Sequence, residues 1–329
     1  MMSDSPVKFN PRAGATLCAA AAVALPLLAT PLLAQQFPVK PVRFILGPSS
    51  EVLPRIVAQR LSTMWGHQVL VDPRPGGGGT VAADTVAKSP PDGYTWLLST
   101  ATFTVSASLL ANPPFDLVRD FQAVTLLASA PFYLMVHPSL PVKTVKELSA
   151  LAKARPGQLN YGSSGMGTPP HMAAEMYKSL AGLNEVHVAY KTVAAAVTDQ
   201  IAGQIQVSFQ YGPSSLPVLR SGRLRGLAVT SIKHSRFAPE LPTMDESGVP
   251  GYEINGWNGI HVPLKTPADI INKLNADLRA ALQTPDVHER LTAASLDVHG
   301  YSRADFEAFV LKDRARFAKV VKDAGITPE

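Results

Sequence analysis

The sequence has very little cysteine: among its 329 residues there is one, Cys18. Cys18 lies in an N-terminal segment that we expect to be removed from the mature chain. The mature protein would then carry no thiol, which excludes disulfide bonds, zinc–thiolate sites and cysteine nucleophiles. Hydrophobic residues make up 46% of the sequence, which is ample for a globular core.

Charged residues are also few, at 17%, although the formal net charge is +5. Lysines and arginines are scattered and form no basic stripe of the kind that binds nucleic acid. We therefore expect no nucleic-acid partner. A modest positive charge can still help to collect anions.

Motifs for metals and cofactors are missing as well. The eight histidines do not lie at metal-ligand spacing. The glycine-rich stretch Pro75–Thr80 lacks the Lys-Ser/Thr pair of a phosphate loop, and Ala82 and Asp84 break the G-x-G-x-x-G pattern. The sequence therefore predicts no metal site and no cofactor.

The N-terminus has the layout of a secretory signal. Lys8 and Arg12 precede an uncharged, largely apolar stretch from Ala13 to Ala34, and polar glutamines follow. Prolines interrupt this stretch, and its longest apolar part is too short to span a membrane as a helix. We expect residues 1–34 to be a cleaved signal peptide and the protein to be periplasmic; an uncleaved membrane anchor is the alternative.

Beyond this segment, strand-like apolar runs alternate with helix-like periodic segments, which predicts an α/β fold with mostly parallel sheets. The predicted strands are Val42–Leu46, Val69–Val71, Tyr94–Ser99, Phe132–Val136, Leu159–Tyr161, His187–Tyr190, Val207–Phe209 and Leu227–Thr230.

Three helix starts are marked by capping residues. Thr144 and Glu147 form a capping box, and Ser302 opens the last helix. Thr266 is predicted as a cap with Pro267 at the first helical position.

Several strand-to-helix junctions are rich in small and hydroxyl residues. In open α/β sheets ligands bind beyond the carboxyl ends of the strands, where helix N-terminal amides suit a carboxylate or phosphate. Simple helix capping would explain any one of these loops, but several together favour an anion site. The candidate residues from these junctions are Ser49, Ser50, Ser99, Thr100, Thr102, Ser163, Ser164, Gly165, Met166, Gly167, Thr168 and Tyr190.

An exported serine hydrolase is a competing hypothesis. Ser164 and His171 could form part of a triad with an aspartate. However, Met166 follows Gly165, so the G-x-S-x-G spacing of a nucleophile elbow is not met. We therefore predict that the chain is not an enzyme.

The segments beyond Phe37 resemble the Bug family, the receptors of tripartite tricarboxylate transporters. The resemblance is carried by the order and spacing of Phe37–Arg43, Val71–Gly79, Ser89–Thr95, Gly157–Gly165, Gly167-Thr168 with His171, His187–Lys191, Leu227–Ser231, Leu241–Thr243 and Gly251-Tyr252. It implies a two-lobed periplasmic binding protein fold (type II) with a ligand cleft between the lobes.

What the resemblance implies for function is a receptor that captures a small carboxylate and delivers it to two membrane subunits of a transporter. The expected lobes are residues 36–130 with 240–329, and residues 131–239. A receptor that signals to a sensor kinase would share the same ligand site and remains an alternative.

Two departures from the family pattern bear on the ligand. The loop after the first strand, Pro48–Arg55, lacks the usual glycines and has Arg55 where an acidic residue is common. Gln210-Tyr211 stands where many relatives have an acidic residue. Loss of acidic residues suits an anionic or aromatic ligand better than an amino acid. With Phe103 and Met166, the rings of Tyr211 and Trp257 predict a carboxylate with an apolar or aromatic body; the alternative is that these side chains are ordinary core packing.

Overall fold

The computed structural model describes residues 37–47, 49–74, 76, 79–109 and 114–326. The predicted signal peptide, residues 1–34, and Cys18 lie outside the described residues. The described residues form one compact unit that begins at Phe37.

Helices and strands alternate along this unit, as the hydrophobic pattern predicts. In chain order they are β1 (Val42–Leu46), α1 (Val52–Trp65), β2 (Val69–Pro73), α2 (Thr80–Ala87), β3 (Thr95–Thr100), α3 (Ala101–Leu109), β4 (Phe121–Val136), α4 (Val145–Ala154), β5 (Asn160–Ser163), α5 (Pro169–Ala181), β6 (Val186–Ala189), α6 (Val193–Ile201), β7 (Val207–Tyr211), α7 (Gly212–Arg220), β8 (Arg225–Val229), β9 (Asn255–Pro263), α8 (Ala268–Leu282), α9 (Pro285–Ala293), β10 (Asp297–Val298) and α10 (Arg303–Asp323).

The strand pairing is mixed rather than mostly parallel, so that part of the prediction is wrong. Parallel pairs join β1 to β2 and β3, and β5 to β6 and β7. Antiparallel pairs join β9 to β3 and β4, and also join β4 to β7, β8 and β10. The antiparallel pairs arise because β9 runs against β3 and β4, and β4 runs against β7.

The long strand β4 changes partners along its length. Its first part, Phe121–Pro131, pairs with β9, and its last part, Phe132–Val136, pairs with β7. One continuous strand therefore connects the β1–β3 group to the β5–β7 group. The division into lobes at residues 131 and 239 stays a prediction.

Two of the three capping predictions are confirmed. Thr144 accepts a hydrogen bond from the Glu147 amide, and Glu147 bonds back to the Thr144 amide. The Ser302 hydroxyl accepts from the Asp305 amide at 3.2 Å. The third is wrong: α8 begins at Ala268 with Pro267 as its N-cap, because the Thr266 hydroxyl donates to the Pro263 carbonyl instead.

Within the described ranges, no helix is both long enough and apolar enough to cross a membrane. The same ranges hold no cluster of three or more His, Cys, Asp or Glu side chains that could bind a metal ion.

Candidate functional site

The first recess lies where β1 and β3 end, and it brings together three predicted site residues, Ser49, Thr100 and Thr102. Its other lining residues are Gly47, Gly79, Leu98 and Phe103. These residues stand at or just before the N-termini of α1, α2 and α3. The recess is small, about 10 Å³, which is space for about one water molecule.

Two glycines shape the floor of this recess. A Cβ on Gly47 would lie 3.1 Å from the Gly79 Cα, so the two backbones pack directly against each other. Gly79 has a left-handed φ of 102°, and a Cβ there would also meet the Phe103 ring at 3.1 Å. The glycine-rich stretch before α2 therefore serves close backbone packing. Sequence reasoning did not assign Gly79 to the site, and the signal that could have identified it is a glycine directly before a helix.

Two other candidates near this recess face elsewhere. Ser99 is fully buried, and its hydroxyl lies 2.7 Å from His261 Nδ1. Burial lowers the pKa of His261 to about 3, so this pair is neutral. Ser50 is exposed, and its hydroxyl accepts from the Val52 amide at 3.4 Å.

The second recess contains four predicted residues, Ser163, Ser164, Gln210 and Tyr211. It is about 30 Å³ in volume, space for about two waters. The remaining lining residues are Gly162, Pro170, Val193, Ala196 and Phe209. Three helices, α5, α6 and α7, have their N-termini at this recess.

The glycine loop between β5 and α5 is held by its own hydrogen bonds. The Ser163 hydroxyl accepts from the Gly165 amide at 3.1 Å and donates to its carbonyl at 3.0 Å. The Thr168 hydroxyl donates to the same carbonyl at 2.7 Å. Gly165 and Gly167 both have left-handed φ angles, 121° and 70°. Gly165, Gly167 and Thr168 therefore determine the shape of the loop behind the recess.

Three further candidates lie apart from the recess lining. Met166 is 60% exposed at the tip of the glycine loop. Tyr190 donates its backbone amide to the Ser163 carbonyl at 2.9 Å and its hydroxyl to Asp199 at 2.9 Å. Trp257 is buried in the core, where its indole N–H donates to Asp313 at 2.8 Å.

The serine–histidine pair in this region is not the one considered for a hydrolase. The Ser163 hydroxyl lies 2.7 Å from His187 Nε2, whereas His171 Nδ1 accepts from the Gly167 amide at 3.3 Å. The Ser163 side chain is 2% exposed and its hydroxyl bonds to both the amide and the carbonyl of Gly165, so its contacts hold the loop. Burial, with the neighbouring His187 ring, lowers the pKa of His171 to about 4. Both rings serve as neutral supports of the glycine loop.

Asn258, which sequence reasoning did not single out, connects the two recesses. Asn258 in β9 is paired with Thr100 in β3, and Thr100 lines the first recess. The side-chain Nδ2 of Asn258 donates to the Tyr211 hydroxyl at 3.1 Å, at the second recess. The phenol thus keeps its own proton for an acceptor, and burial raises the pKa of Tyr211 so that it stays protonated.

The electrostatics of both recesses favour an anion without any charged side chain. The described lining residues are all uncharged. Six helix N-termini face the two recesses, each with a partial positive charge. Arg55 is not part of the first recess, since it is exposed and paired with Glu51, the residue just before α1.

Gly256 keeps the Tyr211 ring at the second recess, and Gly256→Ala should displace it. The new Cβ would lie 2.4 Å from Tyr211 Cε2, so we expect an overpacking cost of about 1–3 kcal/mol in urea denaturation. The same substitution in a Tyr211→Val background should cost less than about 1 kcal/mol, because the clashing ring is gone. Equal costs in both backgrounds would contradict this role of Gly256.

Comparison with known proteins gives one family and several close structures. A family model described as tripartite tricarboxylate transporter family receptor matches residues 53–326. The UPF0065 protein in the tcbD-tcbE intergenic region of Pseudomonas sp. is 32% identical, with 80% of each chain covered. Protein BugT of Bordetella pertussis is 31% identical, covering 91% of this chain and 93% of its own.

Among solved structures, the R. palustris Rpa4515 protein with adipate is 34% identical, with a TM-score of 0.83 over 89% of this chain and 100% of its own. The periplasmic binding protein BugD is 28% identical, with a TM-score of 0.80 over 89% of this chain and 100% of its own. These similarities confirm the α/β periplasmic solute-binding protein fold.

Proposed function

This chain belongs to the tripartite tricarboxylate transporter receptor family, a family of solute-binding receptors, and we propose that it captures a small dicarboxylate in the periplasm for a membrane transporter. The observation that carries the proposal is the pair of uncharged recesses, each facing three helix N-termini. Amides and hydroxyls in such places hold carboxylates without an arginine clamp.

A dicarboxylate fits two anion-favouring recesses better than a monocarboxylate does, since each recess can take one end. Adipate in the R. palustris Rpa4515 structure, at 34% identity, supports an aliphatic diacid of this kind. Phe103 and Tyr211, which line the two recesses, would contact the apolar body of the ligand. Aromatic diacids such as terephthalate are therefore also worth testing.

Ligand entry requires movement around the recesses. Together they hold only about three waters in this conformation, far less than a diacid needs. We propose a hinge motion that opens and closes a cleft between the predicted lobes. The two membrane subunits of a tripartite transporter are the proposed partners that receive the ligand.

Catalysis is not part of this proposal. Ser163 is 2% exposed and bonded to the Gly165 backbone, and neighbouring His171 accepts from a backbone amide. Neither group is arranged as a nucleophile with its base. A binding role is therefore the better account of the site.

Calorimetry and thermal shift with adipate, succinate and terephthalate test the function directly. We expect saturable binding and a higher melting temperature with at least one diacid, by mass action, and none with 1,6-hexanediol. Absence of any heat or thermal shift with all the diacids would contradict the proposal.

Thr102→Val should weaken binding of the diacid while preserving the shape of the side chain. Thr102 lines the first recess at the start of α3, and its hydroxyl is the group removed. We expect a loss of about 0.5–1.5 kcal/mol, roughly 2- to 10-fold in Kd. Thr85→Val is the matched control, because Thr85 is partly exposed on α2 and its hydroxyl donates to the Val81 carbonyl of the same helix. Equal affinity of the two variants would remove Thr102 from the site.

A further inference from the structure

A chain of buried polar groups runs behind the second recess and ends at Gln210. The Gln200 amide Nε2 donates to the Met135 carbonyl at 2.9 Å, and its Oε1 accepts from the Ser208 hydroxyl at 2.6 Å. The Ser208 oxygen in turn accepts from Gln210 Nε2 at 3.0 Å. Gln200, Ser208 and Gln210 are 0%, 1% and 4% exposed.

These hydrogen bonds determine which way each side-chain amide points. Turning the Gln200 amide would set its oxygen against the Met135 carbonyl, and two acceptors repel. The Ser208 proton is therefore committed to Gln200, so Ser208 can only accept from Gln210. It follows that Gln210 Nε2 faces Ser208 and that Gln210 Oε1 takes no part in these hydrogen bonds.

The remaining oxygen, Gln210 Oε1, has no hydrogen-bond partner among the described residues. Gln210 also lines the second recess, where the hydroxyl residues Ser163, Ser164 and Tyr211 stand among apolar side chains at the N-termini of three helices. A buried acceptor without a partner is unfavourable, and a ligand that supplies a donor relieves that cost.

The electrostatic setting decides which donor fits. Three helix N-termini carry partial positive charge toward this recess, which disfavours an ammonium group. A neutral hydroxyl gives its proton to Gln210 Oε1 without adding positive charge. The adjacent carboxylate of the same ligand can accept from the Tyr211 phenol and from helix-end amides.

Resting on the proposed carboxylate-binding function, we infer that Gln210 makes the site selective for hydroxycarboxylates. The ligand would carry its hydroxyl next to the carboxylate that enters the second recess. Gln210 is then the specificity-determining residue, and the carboxylate itself is held by the other groups.

Matched pairs of acids that differ in one hydroxyl test the inference on the full-length mature protein. Calorimetry would compare succinate with both enantiomers of malate, and adipate with 2-hydroxyadipate. We expect one hydroxy acid of a pair to bind at least 10-fold more tightly than its parent. Gln210→Met, which removes the acceptor and keeps the length of the side chain, should reduce that preference to within about 2-fold, mainly through weaker binding of the hydroxy acid.

The control variant is Gln204→Met, an exposed glutamine in the α6–β7 connection, which should keep the full preference. Equal binding of parent and hydroxy acids by the wild type would overturn the inference while leaving carboxylate binding intact. A preference that persists in Gln210→Met would also overturn it, as would tighter binding of aspartate than of malate. If none of these acids binds, the proposed function fails, and the inference fails with it.

Discussion

Replacing Asp313 with alanine should lower the free energy of unfolding by about 3–5 kcal/mol. Asp313 is 1% exposed in α10, and its Oδ2 accepts from the Trp257 indole and from the Thr104 hydroxyl, each at 2.8 Å. Its other oxygen accepts from the Arg316 guanidinium. Without the carboxylate, two buried donors and a half-buried cation lose their shared partner.

Urea denaturation of the purified protein measures this effect. Asp323→Ala is the control, because Asp323 lies on the same helix but pairs with Lys319 at an exposed position. We expect the control to change stability by less than about 1 kcal/mol. A loss below about 1 kcal/mol for Asp313→Ala would show that the buried network is not a main support of α10.

The same network bears on the candidate site, because Thr104 belongs to α3, whose first turn lines the first recess. Asp313 thus ties α10 to both α3 and β9. This also explains why Trp257 lies away from both recesses: its indole N–H donates to a core carboxylate.

Glu185→Gln should stabilise the protein at pH 8 by about 3 kcal/mol and have little effect near pH 4. Glu185 is 3% exposed, and neither of its carboxyl oxygens has a partner among the described residues. Burial raises its pKa from 4.5 to about 7, although Lys178 acts in the opposite direction. At pH 8 the folded wild type therefore carries a buried carboxylate that glutamine would replace with a neutral group.

The direction in which stability changes with pH follows from proton uptake by Glu185. Between pH 4.5 and 7 the folded state binds the Glu185 proton and the unfolded chain does not, so the stability this group contributes is lost as the pH rises through 7. His171 and His261 act oppositely, since their lowered pKa values cost stability as the pH falls below 6.5. Both histidines are present in wild type and variant, so the difference between the two proteins isolates Glu185.

Urea denaturation at pH 4.5, 6 and 8 measures that difference. Glu307→Gln is the control, because Glu307 is exposed and pairs with Arg303 on its own helix. A Glu185→Gln variant whose stability relative to wild type does not change with pH would refute the raised pKa.

Features set by neighbouring residues were predictable from the sequence. The capping box at Thr144 and the cap at Ser302 form through bonds spanning three residues, so the local pattern is enough to identify them. Strand β1 was predicted with its correct bounds because its apolar run is buried on both faces. The resemblance to the receptor family is likewise confirmed.

Strand β9 was missed because its sequence has the composition of a loop. Asn255–Pro263 contains two glycines and two asparagines, which are poor strand formers. In the structure, β3 and β4 pair with it on both sides. Gly256 and Gly259 are needed there, because a Cβ would strike the Tyr211 ring at 2.4 Å and the Phe306 ring at 2.1 Å. Only the arrangement of distant elements makes this segment a strand.

By itself, the sequence determined the alternation of helices and strands, the small and hydroxyl-rich loops at strand ends, and the receptor family. The tertiary structure decided which side chains of those loops meet. Successive residues of a strand point to opposite faces, so Thr100 reaches the first recess while Ser99 turns inward to His261, 162 positions away. It also placed Gln210 and Tyr211 beside Ser163 in a second recess, because β5 and β7 pair directly in the sheet although they are far apart in sequence. Contacts between residues so far apart depend on the whole fold, and no local pattern contains them.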